Sequence, residues 1–166
     1  LLQLGPNEKI ATLLAIDEKD DNKYLLLATK NGIVKKTDRE EFKNINKAGL
    51  IAIGLREDDE LIGVKVTDGN KDVLLVTKEG MSIRFDENDI RSMGRSAMGV
   101  KGITLSNDDK VVSMSLCEEG TDVLVVSENG FGKRTDINEY RTQIRAGKGI
   151  KTYNIAEKKG KIVGDE

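Results

Sequence analysis

The sequence predicts an all-β repeat protein, a propeller-like array of four-stranded antiparallel blades, partial at about three blades plus a leading strand. Three observations predict it. A single plan of residues is stated three times: an apolar run, a tight turn, a short basic run, an aromatic or apolar anchor, a Gly-bearing loop and a second apolar run. The glycine that closes the turn falls at Gly32, Gly80 and Gly130, and the one that opens the second run at Gly49, Gly99 and Gly149, so the period is close to fifty. Units of that size cannot bury an apolar face alone and must stack. Finally, no stretch holds a helical period, and Glu87 to Met93 offers one turn of helix at most.

Taken in order, residues 1–23 read as the end of a preceding blade. Ile10 to Ile16 is an apolar run in the place later held by Leu61 to Val66 and Val111 to Leu116. The first full repeat spans 24–71. Leu25 to Thr29 is a strand, Asn31-Gly32 is a hairpin turn because both residues tolerate positive φ, and Ile33 to Thr37 returns antiparallel. Arg39 to Ala48 is a polar loop anchored by Phe42. Gly49 to Leu55 is a third strand, and Leu61 to Val66 follows the acidic turn Glu57 to Glu60 as a fourth.

The second repeat, 72–121, copies this as Val73 to Thr77, Met81 to Phe85, Gly99 to Leu105 and Val111 to Leu116. The third, 122–166, reads Val123 to Ser127, Phe131 to Thr135, Gly149 to Ile155 and the start of Lys161 to Gly164. Four short strands per repeat is the grammar of a propeller blade.

The bulk numbers suit a thin-layered fold, with 37% hydrophobic and 34% charged residues in 166. The lone Cys117 forbids an internal disulfide and suggests a reducing compartment. No apolar run reaches membrane-spanning length, no signal peptide opens the chain, and the start at Leu1 without Met suggests an excised part of a longer protein.

A net charge of −2 argues against nucleic acid until it is mapped. Phe131 to Lys151 holds six cations against two acids, a balance of +4; Ile33 to Arg56 stands at +3 and the middle unit at +1. Acids gather instead in the connecting turns, as at Asp20-Asp21, Asp58-Asp59 and Asp108-Asp109. Charge is therefore segregated, and the total is a poor guide to partners.

The cations also recur by position. Lys36, Arg84 and Arg134 coincide on the second strand, with Lys133 beside the last. Phe42, Ile90 and Tyr140 coincide as loop anchors, followed by Lys43, Arg91 and Arg141. Lys47, Arg95 and Arg145 stand near the loop tips, Lys148 follows in the last loop, and Lys101 and Lys151 coincide on the third strand. Stacked units would bring these into lines on a rim, where Lys and Arg neutralise phosphates and release counterions. The Gly-bearing loops around Gly99 and Gly147 are expected to bring backbone N–H groups near phosphate.

Catalysis is poorly supported, with no His, one Cys and no Ser in a nucleophile setting. The acid pairs recur in one turn position, which favours a hydrophilic turn over a Mg²⁺ site. Tyr24 and Tyr140 align with packing residues, which weighs against a catalytic tyrosine. No catalytic and no metal-binding residue is expected.

Gln143-Ile144-Arg145-Ala146-Gly147-Lys148-Gly149 resembles the Gln-Arg-Arg-Gly-Gly-(Lys/Arg)-Gly box of the C-terminal domain of the DNA gyrase A subunit, with Ile144 for Arg and Ala146 for Gly. LLLATKNGIVKKT, DVLLVTKEGMSIRF and DVLVVSENGFGKRT extend the resemblance over essentially the whole chain. It implies a β-pinwheel whose blades exchange strands, of which this chain holds a middle-to-late part. It also implies a rim that wraps double-stranded DNA without reading sequence. The partners it implies are the remainder of gyrase A and the gyrase B subunit, in a cytoplasmic, nucleoid-associated holoenzyme with no membrane contact. No cofactor is expected for this portion, because the ATP and Mg²⁺ of such an enzyme belong to its other parts. The topoisomerase IV A subunit carries a related domain and is the nearest alternative. A propeller-type protein-interaction scaffold is the alternative outside this family.

Overall fold

A computed structural model describes residues 8–15, 23–42, 48–54, 58–94, 97–127, 132–151 and 162–165. Its core is a pair of hairpins stacked face to face, extended by a third. The hairpins are β2 (Tyr24–Thr29) with β3 (Ile33–Asp38), β6 (Asp72–Thr77) with β7 (Met81–Asp86), and β10 (Asp122–Ser127) with β11 (Gly132–Asp136). All three share one register, for Tyr24 faces Asp38, Asp72 faces Asp86 and Asp122 faces Asp136.

The turns close for a chemical reason. Gly32 and Gly80 adopt φ of 88° and 87°, a region that costs glycine little. The Thr29 and Thr77 hydroxyls accept from the amides of Ile33 and Met81. The second acid of each turn pair completes the turn: Asp59 accepts from Asn31 N at 2.9 Å and Asp109 from Glu79 N at 3.0 Å. Asp59 and Asp109 are thus buried caps on a hairpin of their own blade, more than a hydrophilic turn.

A fourth strand lies on the other side of each first strand. β5 (Leu61–Thr67) pairs with β2, β9 (Val111–Cys117) with β6, and β14 (Ile162–Asp165) with β10. Each pairing shifts register at the same place, between Ala28 and Thr29, Val76 and Thr77, and Val126 and Ser127. A bulge in that position bends all three blades alike.

The outer strand comes from the next repeat. β8 (Val100–Lys101) pairs with β3, and β13 (Ile150–Lys151) with β7. A short parallel stretch accompanies each donation: Ser92 bridges Lys36, and β12 (Thr142–Gln143) pairs with β7. In the first repeat β4 (Ala48–Gly54) pairs directly with β1 (Glu8–Ala15). β8 is shorter than the run Gly99 to Leu105 suggests, and the run Gly149 to Ile155 is described only as far as Lys151. After Lys101 the chain leaves the ladder, since Gly102 N and Ile103 N both turn to Gly32 O. Residues 152–155 lie outside those described.

The only helical turns among the described residues are three short 3₁₀ segments after the hairpins, η1 (Arg39–Phe42), η2 (Glu87–Asp89) and η3 (Ile137–Glu139). An aspartate starts each one. Asp38, Asp86 and Asp136 accept from the amides of Glu40, Asn88 and Asn138.

The central strands are buried on both faces, because alternate residues serve different neighbours. Val73 and Leu75 join Leu26, Ala28, Val34, Ile83, Phe85, Ile90 and Ile103 between the first and second blades. Leu74 and Val76 join Cys117, Val123, Val125, Ile137 and Tyr140 between the second and third. Leu124 holds the position of Leu26 and Leu74 one blade on, and is 38% exposed where they are buried.

Candidate nucleic-acid interface

Lys36, Arg84 and Arg134 lie at one register position, each twelve residues after the start of its hairpin. Their expected role as surface contacts to phosphate is corrected for the first two. Lys36 is 4% exposed. Its Nζ lies 3.5 Å from Glu87 Oε1 on the next blade and 4.3 Å from the centre of the Tyr24 ring. Glu87 is held in turn by the Thr67 hydroxyl and by Lys71 N at 3.2 Å.

Arg84 is half-buried. Its Nε donates to Asp72 at 2.9 Å, and its Nη1 to the carbonyls of Ile137 and Tyr140 at 2.9 and 3.1 Å. Both cations therefore fasten a hairpin to the 3₁₀ turn of the following blade. Arg134 repeats the contact within its own blade, to Asp122 at 2.6 Å, with its side chain 77% exposed.

The box-like loop is built into the blade before it. Gln143 is half-buried in β12, opposite Phe85. Arg145 is half-buried, donating from Nε to Asp89 O at 3.1 Å and from Nη1 to Lys101 O at 2.6 Å. Ala146 takes φ of 74°. Its N–H is spent on Gly102 O, and Thr104 binds the carbonyls of Ala146 and Gly147. The expectation that the loops around Gly99 and Gly147 bring the backbone to a phosphate is corrected at Gly99, and Gly149 is its equivalent one repeat on. A Cβ there would lie 2.5 Å from Val34 O and 2.4 Å from Ser82 O, so both serve the close approach of the donated strand to its host.

The remaining cations face solvent. Arg91 and Arg141 are exposed just after the buried anchors Ile90 and Tyr140. Lys101 and Lys151 are exposed on β8 and β13, and Lys148 and Lys133 are exposed as well. Equivalent positions on neighbouring blades thus carry equivalent charges, in two lines one repeat apart. Lys43, Lys47 and Arg95 lie outside the described residues. No group of three or more potential metal-ligating residues occurs among the described residues.

Sequence reasoning missed the clasping role of Arg145 and the cap role of Asp59 and Asp109. The recurrence of an acid two residues before the fourth strand, at Asp59 and Asp109, was the available signal for the caps. Ile144, the box position that departs most from the signature, is 82% exposed.

The family model described as the DNA gyrase C-terminal domain, beta-propeller, matches residues 23–68, 71–118 and 121–164. The DNA gyrase A subunit of Clostridium acetobutylicum is 55% identical over 102 residues, covering 61% of this chain and 12% of that protein. Its counterpart in Halalkalibacterium halodurans is 55% identical over 104 residues, covering 63% of this chain and 12% of that protein. The chain thus spans about an eighth of the length of these relatives. Among solved structures, the C-terminal domain of DNA topoisomerase IV superposes with a TM-score of 0.81 at 30% identity, covering 91% of this chain and 48% of that one. A DNA gyrase A C-terminal domain gives 0.78 at 27% identity, covering 97% and 54%. With three successive matches that follow the three hairpins, the chain belongs to the DNA gyrase C-terminal domain family.

Proposed function

We propose that this chain is a DNA-binding and DNA-wrapping module of the A subunit of a DNA gyrase, contacting duplex DNA without sequence preference. In that role it assists ATP-dependent negative supercoiling by the parent type II topoisomerase while contributing no catalytic group itself. The observation that carries the reading is the repetition of exposed cations on adjacent blades, Arg91 with Arg141 and Lys101 with Lys151, joined by Lys148. Such lines neutralise successive phosphates, and specificity then comes from how cheaply the duplex bends. The family match and the gyrase relatives support the same reading. The remainder of gyrase A, gyrase B and double-stranded DNA are the partners it requires, in the cytoplasm at the nucleoid.

The test is fluorescence anisotropy of the full chain with matched-length duplexes across a salt series. Affinity should fall linearly on a log–log plot, each phosphate contact adding about 0.9 to the slope, and sequence should not matter. Salt-independent binding, or marked preference for one sequence, would overturn the reading. The close superposition on a topoisomerase IV domain favours, for a second reading, the corresponding part of that enzyme. Topology assays on closed circular DNA separate the two, since constraint of wrapped supercoils is expected of the first alone.

A further inference from the structure

We propose that Ile144 is an apolar wedge that enters the duplex at a base step and kinks it, a role that rests on the DNA-binding reading above. Ile144 is 82% exposed, against 48% for Met98 and 38% for Leu124, the other large apolar side chains on the described surface. Leu124 has another explanation, since the same position is covered by a neighbouring blade at Leu26 and Leu74. Met98 lies in the corresponding loop one repeat earlier. A single exposed apolar residue is ordinary on most surfaces, and three features set Ile144 apart.

The first is its mounting. Gln143 before it is fixed in β12, and Arg145 after it is tied to Asp89 O and Lys101 O. Beyond that, Ala146 N binds Gly102 O, while Thr104 binds the carbonyls of Ala146 and Gly147. A side chain on so constrained a backbone loses little further freedom when it is inserted, which lowers the entropic cost of binding.

The second is its setting. Exposed Arg141 and Lys148 flank it in the chain, and Arg145 draws its loop onto the strand of exposed Lys101. Cations on either side would hold phosphates and present the base edges between them to the apolar tip. The third is chemistry. Isoleucine is among the residues that part base steps in bent complexes, where the cost of unstacking is offset by a duplex that follows more of the protein surface.

The experiment compares the full chain with Ile144→Ser, Ile144→Met and Ile144→Arg. Three measurements are made on a duplex dye-labelled at both ends: affinity across a salt series, bend by energy transfer, and permanganate oxidation of unstacked thymines. The expected result for Ile144→Ser is roughly tenfold weaker binding with an unchanged salt slope, a smaller bend and loss of the reactive thymines. Ile144→Met should keep bend and reactivity. Ile144→Arg should steepen the slope by about 0.9 without restoring reactivity. If Ile144→Ser binds, bends and exposes thymines as the unaltered chain does, the wedge is overturned and DNA binding stands. If the unaltered chain does not bind the duplex, the underlying reading has failed. A lower melting temperature for Ile144→Ser would place the side chain in the fold and overturn the wedge as well.

Discussion

Lys36 and Arg134 hold one register position, yet one is enclosed and the other stands in water. What differs is the neighbour, and that difference was not legible in the alignment of repeats, because recurrence reports position and says nothing of what covers it. Lys36→Met should therefore lower stability by about 3 kcal/mol, since it strands the Glu87 carboxylate without its cation. Chemical denaturation measures that loss, and adding Glu87→Gln should recover part of it. The DNA salt slope should not change, which would distinguish a fastening role from phosphate contact. Arg145 and Lys148 make a second pair of opposites within one loop. Arg145→Ala should lower the melting temperature, as two guanidinium bonds to carbonyls are lost, at a cost of about 1–3 kcal/mol. Lys148→Ala should leave the melting temperature alone and reduce the salt slope by about 0.9.

Among the elements, the hairpins were the most legible part of the fold. Apolar runs and turn residues suffice to specify two strands joined by a turn, and β2–β3, β6–β7 and β10–β11 follow them within a residue or two. The destination of the third strand is written less openly. Gly99 and Gly149 mark it, yet a glycine in a loop fits a turn, a phosphate or a packed backbone equally well. The structure assigns them to the last of these. Gly149→Ala combines φ of 78° with a Cβ 2.4 Å from Ser82 O, so it should cost about 2 kcal/mol or more and loosen β13 from β7. Hydrogen exchange at Met81 and Ser82, the residues opposite β13, would register the loosening. Faster exchange confined to the β10–β11 hairpin would contradict it.

At the scale of the whole molecule, charge is sorted by direction. Acids cap turns and pair with cations between blades, as Glu87 does with Lys36, while exposed cations repeat at a fifty-residue interval. Local charge balance therefore overstated the number of cations available to DNA, because it counted Lys36 and Arg84 with the rest. The ranking of repeats can now be tested on exposed groups alone. Replacing Arg141, Lys148 and Lys151 with Ala should lower the salt slope by roughly 2.7, against roughly 1.8 for Arg91 with Lys101. Equal losses from the two variants would show that the third repeat has no larger share of the contact.

Strand donation has a consequence for how such a gene could lengthen or shorten. A repeat cut out at its sequence boundaries carries off the outer strand of the blade before it and abandons its own to the repeat after it. The second and third repeats make the same gift in the same register, so the wound would close: without residues 72–121, β13 could fall on β3 as β8 does now. Blade number is then easily revised by duplication or loss, and the order of blades is what resists editing. The scar of such a splice would be local and chemical, for Lys36 would meet Ile137 where it now meets Glu87.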